Sequence, residues 1–184
     1  MTTLHARALD EIRACLDQVR ADELDGAIAE LAGANRIALY GVGREGLQIK
    51  GLAMRLFHLG LKAAVVGDMT TPPVGAGDVL VVSAGPGDFS TVAALMGEAR
   101  AAGARTLVVT AEAGGAAAAR ADRVLTVPAQ TMASDQGAAA TSVLPMGSLY
   151  EGALYVLFEI LILGLRDRLG VTPAQMRANH TNLE

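Results

Sequence analysis

Aromatic side chains are scarce in this 184-residue chain, at 3% of the sequence, and Cys15 is its single cysteine. One thiol forms no internal disulfide, which excludes a disulfide-stapled secreted scaffold. The N-terminal Met-Thr-Thr-Leu-His-Ala-Arg lacks the basic then apolar layout of a secretory signal, so a cytoplasmic location is expected. A strong charge of one sign is also missing: the formal net charge is -4, and Lys and Arg form no cluster. That leaves no electrostatic footprint for nucleic acid. No His or Cys pair has metal-ligand spacing, and neither a Gly-x-Ser-x-Gly elbow nor a Walker loop occurs. Hydrolase and nucleotide-triphosphatase readings drop out, and no metal is expected. The nearest approach to a membrane span, Gly147 to Leu169, carries Glu151 and Glu159. Each would cost several kcal/mol at a bilayer centre, so the run reads as a buried helix and no membrane partner is expected.

What is present points to an α/β domain. Hydrophobic residues make up 52% of the chain, much of it Ala, Val and Leu, with 21 glycines. Such small apolar residues suit helices packed closely on a parallel sheet. The length suits one domain over 1–184. It divides into N-terminal helices over 1–33, a sheet core over 36–128, and C-terminal helices with a tail over 147–184. Leu4, Ala8, Ile12, Leu16 and Val19, then Leu24, Ala27, Ile28 and Leu31, recur at helical spacing and predict two helices or one bent helix. From Ile37 the chain alternates short apolar runs with helical segments. Strands are expected at 37–40, 63–66, 79–82, 106–109 and 124–127, and helices at about 46–59, 91–102 and 116–121.

Apolar strands of four or five residues separated in this way predict a three-layer αβα sandwich around a five-stranded parallel sheet. Right-handed crossovers place the strand-to-helix turns along one edge of that sheet. Two of those turns are rich in glycine: Gly41-Val-Gly-Arg-Glu-Gly46 and Ser83-Ala-Gly-Pro-Gly-Asp88. Both border the ligand crevice if the winding reverses between their strands. The first is not the dinucleotide fingerprint, because its third glycine comes too early. On pattern alone it is equally a plain strand-to-helix turn. The stretch 130–144, small and polar, reads as a loop over the site or at an interface. Thr172 before Pro173 marks the start of a last helix.

Glu151 and Glu159 stand among apolar neighbours, where a carboxylate either has its pKa raised or is neutralised by an interior Arg. Taken alone, each reads as structural before catalytic. His58 reads as a helix-end histidine, and His180 as a residue of the tail.

Several segments, in this order, resemble one family: Gly41-x-Gly-Arg-x-Gly46, Lys50-x-x-Ala-Met-Arg-Leu-x-His-Leu-Gly60, Val65-Val-Gly67, Gly77-Asp-x-Leu80, Pro145-Met-Gly-x-x-x-Glu151 and His180-x-x-Leu-Glu184. They are similar to the 6-phospho-3-hexuloisomerases of the sugar isomerase (SIS) domain family. The resemblance implies a five-stranded parallel sheet in flavodoxin-like order, no cofactor, a homodimer or homotetramer, and isomerisation of a 3-ketohexose 6-phosphate through an enediol. It also implies Glu151 as the base and His180 as a group reaching a site shared with a neighbouring subunit. Gly43, Arg44 and Glu45, with Ser83, Gly85, Gly87, Asp88, Ser90 and Thr91, correspond to the turns that hold the substrate.

In that family the first turn usually reads Gly-x-Gly-Arg-Ser-Gly and the second Ser-Gly-Ser-Gly-Glu-Thr. Here Glu45 replaces the first serine, Pro86 removes an N–H donor, and Asp88 adds a second carboxylate. The expected ligand is a sugar or sugar phosphate whose charge is carried differently. The rival expectation is a non-catalytic sugar-binding or regulatory module.

Overall fold

The computed structural model describes residues 3–183. Met1, Thr2 and Glu184, the last of which closes the terminal His-x-x-Leu-Glu motif, lie outside the described residues. The elements in chain order are α1 (Leu4–Leu16), α2 (Ala21–Ala32), β1 (Ile37–Gly41), α3 (Gly43–His58), β2 (Ala63–Val65), β3 (Val79–Ser83), α4 (Ser90–Ala101), β4 (Arg105–Thr110), α5 (Ala116–Arg120), β5 (Arg123–Thr126), α6 (Ser148–Leu169) and α7 (Pro173–Ala178). The N-terminal segment is two helices rather than one bent helix.

All five strands run parallel in the order β2-β1-β3-β4-β5, so the winding reverses between β1 and β3 as expected. Their alternate side chains feed two separate cores. Ile37, Leu39, Val79, Val81, Leu107 and Val109 point to the layer built by α2, α3 and α6. Ala38, Leu80, Val82 and Val108 point to the layer of α4 and α5, where Val92, Met96 and Ala117 meet them. Both faces being covered explains why the strands read as continuous apolar runs.

Helix α6 is long and apolar enough to cross a membrane by length and composition, yet half of its most apolar window is buried inside the fold. Leu149, Ala153, Leu154, Leu157, Leu161 and Leu165 form its inner stripe, and α1, α2 and α3 pack around it. Between β5 and α6 the segment 127–147 carries only a short 3-10 turn, Gly137–Ala139. It is tied down by Glu11 of α1, which accepts hydrogen bonds from Ser142 Oγ at 2.6 Å and Val143 N at 3.1 Å. Helix α7 opens with the expected Thr172 cap and Pro173, and Gln175 completes a reciprocal capping box.

Candidate functional site

The parallel register sets Gly41 beside Ser83, so the turns after β1 and β3 lie next to each other at the carboxyl edge of the sheet. Open α/β sheets bind ligands where the winding reverses, and a cavity of about 500 Å3 lies there. Its wall includes Gly43, Arg44 and Glu45 of α3, Pro86 and Phe89 of the second turn, Thr131 to Ala133 of the long loop, and Met146, Gly147, Tyr150 and Glu151 around the start of α6. The volume suits a small polar metabolite.

Helix α3 reaches the cavity through its glycines. A Cβ at Gly46 would lie 2.6 Å from the carbonyl oxygen of Gly41, and one at Gly41 would lie 2.9 Å from Gly46 N. The backbones of strand and helix touch there, which seats the first turn of α3 in the cavity wall.

That first turn aims two side chains. Glu45, 8% exposed, turns across to the neighbouring turn. Its Oε2 accepts hydrogen bonds from Ser83 Oγ at 2.6 Å and Gly85 N at 3.1 Å. Ser83 Oγ also lies 3.3 Å from the hydroxyl of the buried Tyr150. Gly85 is needed here, because a Cβ would stand 2.8 Å from Glu45 Oε1 and 2.9 Å from the Tyr150 ring. Burial raises the Glu45 pKa, opposed by the Ser83 and Gly85 hydrogen bonds. Burial also pushes the Tyr150 phenol well above its ordinary range, and the Glu45 carboxylate adds to the effect.

Arg44 points the other way, toward the start of α6. Its Nε lies 3.2 Å from Glu151 Oε2, Nη1 donates to Ser148 Oγ at 3.2 Å, and Nη2 donates to the Met146 carbonyl. Met146 and Gly147 both hold the left-handed conformation, with φ of 56° and 79°. The methionine is strained there, since a Cβ disfavours positive φ. Glu151 presents a side chain only 16% exposed. Burial raises its pKa, Arg44 counteracts that, and the Glu45 charge raises it further. A carboxylate moved toward neutrality beside a fixed guanidinium is equipped to take and return a proton.

Of the residues expected at the site, the cavity gathers Gly43, Arg44, Glu45 and Glu151, with Ser83 and Gly85 behind Glu45. Gly87 lies deeper, its N–H bonded to the Ala84 carbonyl and its α-carbon packed near Gly115. Asp88, expected to face the ligand, is instead paired with Arg120 at 2.8 Å and does not line the cavity. Ser90 and Thr91 are exposed in the first turn of α4, outside the cavity lining. His180 stacks on His58 with ring centroids 5.1 Å apart. That contact is at the far end of α3, about 20 Å along the helix from Arg44 at 1.5 Å per residue. Glu159 is held by both its oxygens to Arg55, at 2.8 and 2.9 Å, which is the structural role open to it from sequence.

Thr131 to Ala133 belong to the stretch 130–144 expected over the site or at an interface, whereas nothing in the sequence reading marks Tyr150 or Phe89 as wall. Only the proximity of Tyr150 to Glu151 hinted at its place.

A doubly wound sandwich with a cavity at its winding reversal defines an α/β small-molecule domain. Comparison with known proteins narrows the class: the SIS domain model matches residues 30–156. The chain belongs to the SIS domain family. It is 34% identical over 175 residues to the 3-hexulose-6-phosphate isomerase of Mycobacterium gastri, covering 95% of this chain and 87% of the relative. It is 28% identical over 179 residues to the protein of that name from Bacillus subtilis, covering 97% and 96%. A crystal structure from Methanococcus jannaschii, described as inferring a 3-hexulose-6-phosphate isomerase function, superposes with a TM-score of 0.83 at 24% identity and covers 97% of each chain. At that identity the likeness speaks to the fold.

Glu45 has a consequence for stability. The folded chain holds this carboxyl protonated to a higher pH than the unfolded chain does. Stability from this group is therefore complete below the ordinary glutamate pKa and is lost as pH rises through the raised one. The melting temperature of Glu45→Gln relative to the unmodified chain is expected to climb as pH is raised from about 4 to 7. Calorimetry in that window checks it; a difference that falls with pH would reverse the sign.

Proposed function

We propose that the chain is a sugar isomerase of the 3-hexulose-6-phosphate isomerase kind, interconverting neighbouring carbonyl positions of a sugar or sugar phosphate through an enediol. The observation that carries this reading is Glu151, a mostly buried carboxylate in the cavity wall, with its pKa raised and its position held by Arg44. Glu151 removes the proton from the carbon beside the carbonyl, and the electron pair of that C–H bond becomes the C=C bond of the enediol. The Arg44 guanidinium stabilises the oxygen on which negative charge develops. Glu151 then returns the proton to the adjacent carbon, while the hydroxyl proton passes from one enediol oxygen to the other. No metal or cofactor is required for these steps. The names of the relatives support the reading, since two of them over nearly the whole chain are called isomerases.

Homo-oligomers belong to the same proposal. Leu47, Met54 and Phe57 on α3 and Tyr155 and Leu163 on α6 are all between 48% and 64% exposed. Apolar side chains gathered in this way on adjacent helices mark a contact surface. His180 is too far from Glu151 within one chain, so its proposed part in catalysis, carrying the hydroxyl proton, requires a second copy. Light scattering at micromolar concentration is expected to return the mass of a dimer or tetramer. A monomer would remove both the assembly and the role of His180.

The test of the activity is exchange with solvent. Ketoses and ketose phosphates that raise the melting temperature, by RT ln(1 + [L]/Kd) in free energy, are incubated with the protein in deuterium oxide and followed by NMR. Deuterium is expected on the carbon beside the carbonyl. Stabilisation without any exchange would favour the second reading, a non-catalytic sugar-binding module, which the internal ligation of Gly85 by Glu45 makes a specific alternative.

A further inference from the structure

The second turn, the place where a glycine-rich loop would hold an anion, has no backbone donor left to offer between residues 84 and 87. Ala84 N bonds to the Val109 carbonyl, Gly85 N to Glu45 Oε2, and Gly87 N to the Ala84 carbonyl, while residue 86 is proline. The hydroxyl of Ser83 donates to the same Glu45 oxygen. Arg44, the one basic residue in the cavity wall, is already engaged with Glu151, Ser148 and the Met146 carbonyl. An anionic group entering at the second turn would meet the Glu45 carboxylate in place of free donors, with Glu151 as a second carboxylate in the same wall. Glu45 Oε1, by contrast, makes no hydrogen bond among the described residues, and Glu45 lines the cavity. It is an acceptor in search of a donor, and a sugar hydroxyl supplies one.

We propose that Glu45 is the specificity-determining residue of this cavity. Its carboxylate fills from within the place an anionic ligand group would take, and its Oε1 accepts a hydrogen bond from a hydroxyl of an uncharged sugar. The chain thus selects a free ketose over the corresponding phosphate ester. This rests on the sugar-isomerase reading for the class of ligand but not for the chemistry. The selection arises because removing a phosphate dianion from water requires replacement donors, and those of the second turn are taken by Glu45 and by the main chain itself. A hydroxyl needs only an acceptor and is indifferent to the missing N–H groups.

Calorimetric titration of the full chain with fructose, psicose and tagatose, each as the free ketose and as the 6-phosphate, tests the proposal. At least one free ketose is expected to bind, and at least tenfold more tightly than its phosphate. Glu45→Ser empties the occupied place. Glu45→Gln keeps an acceptor for the Gly85 N–H while removing the charge, and guards against a serine variant that fails to fold. Each folded variant is expected to bind the 6-phosphates at least tenfold more tightly than the unmodified chain does. The proposal is overturned if the unmodified chain binds a phosphate as tightly as its free ketose, if the preference is unchanged in both variants, or if none of the three free ketoses binds. Solvent exchange is scored separately. Selective binding of a free ketose without exchange overturns the isomerase reading and sustains this one. Exchange into a tightly bound phosphate does the reverse.

Discussion

Glu151→Gln is expected to lower the rate of solvent exchange by about 10²–10⁴-fold, the range typical of a lost general base, while ligand binding persists. Glutamine keeps the shape and can still face Arg44, but it cannot take a proton from carbon. The effect should appear in kcat with KM little changed, because the base acts on the bound substrate. The unmodified protein should also show an acid limb in its rate profile above the ordinary glutamate range, since burial and the Glu45 charge raise the Glu151 pKa and Arg44 only partly offsets them. Activity rises with pH through that limb as the carboxylate ionises. In Glu45→Gln one of the two raising influences is gone, so the limb should move to lower pH. Retention of full exchange in Glu151→Gln would show that another group carries the proton.

The second large effect is structural. Gly46→Val is expected to destabilise the fold by roughly 3 kcal/mol or more, at the upper end of what over-packing does, and to lower the melting temperature by about 6–12 °C for a chain of this size. The reason is local: the first side-chain carbon would already stand 2.6 Å from the Gly41 carbonyl oxygen. Backbone cannot step aside there without moving the start of α3, and with it Arg44 and Glu45. Gly51 is the matched control five residues further along the same helix, with nothing within 4 Å of where its Cβ would be. Gly51→Ala should stabilise by about 0.5–1 kcal/mol, because alanine loses less backbone entropy in a helix. Equal melting temperatures for Gly46→Val and the unmodified chain would contradict the close contact.

The contrast between those two glycines also shows what a sequence discloses. The strands are readable because helices cover both faces of the sheet and its central strands are buried along most of their length, and β3 at Val79–Ser83 differs from its expected span by one residue. The periodicity predicts a start for α3 at about 46, but the helix begins at Gly43, since Gly43, Arg44 and Glu45 carry no apolar periodicity to announce it. Glu151 was legible as an acidic residue in an apolar setting. The setting of Glu45 was not. The sequence pairs it with Asp88 as two charges facing a ligand, yet one is folded onto Ser83 and Gly85 and the other onto Arg120. That division follows from the register of β1 on β3 and from the position of α5, neither of which is local in the chain. Thr131 to Ala133 and Phe89 reach the cavity from irregular backbone, where no period identifies a buried face.

Arg44 meets Glu151 and Arg55 meets Glu159, with residue numbers rising in the same sense along both helices. Helices α3 and α6 therefore run parallel, and both begin at the cavity. The aligned peptide dipoles of each present about half a positive charge at that end. Two such ends, together with one guanidinium, counterbalance the carboxylates of Glu45 and Glu151. The main chain acts as the counter-ion, and an incoming sugar has no electrical imbalance to correct.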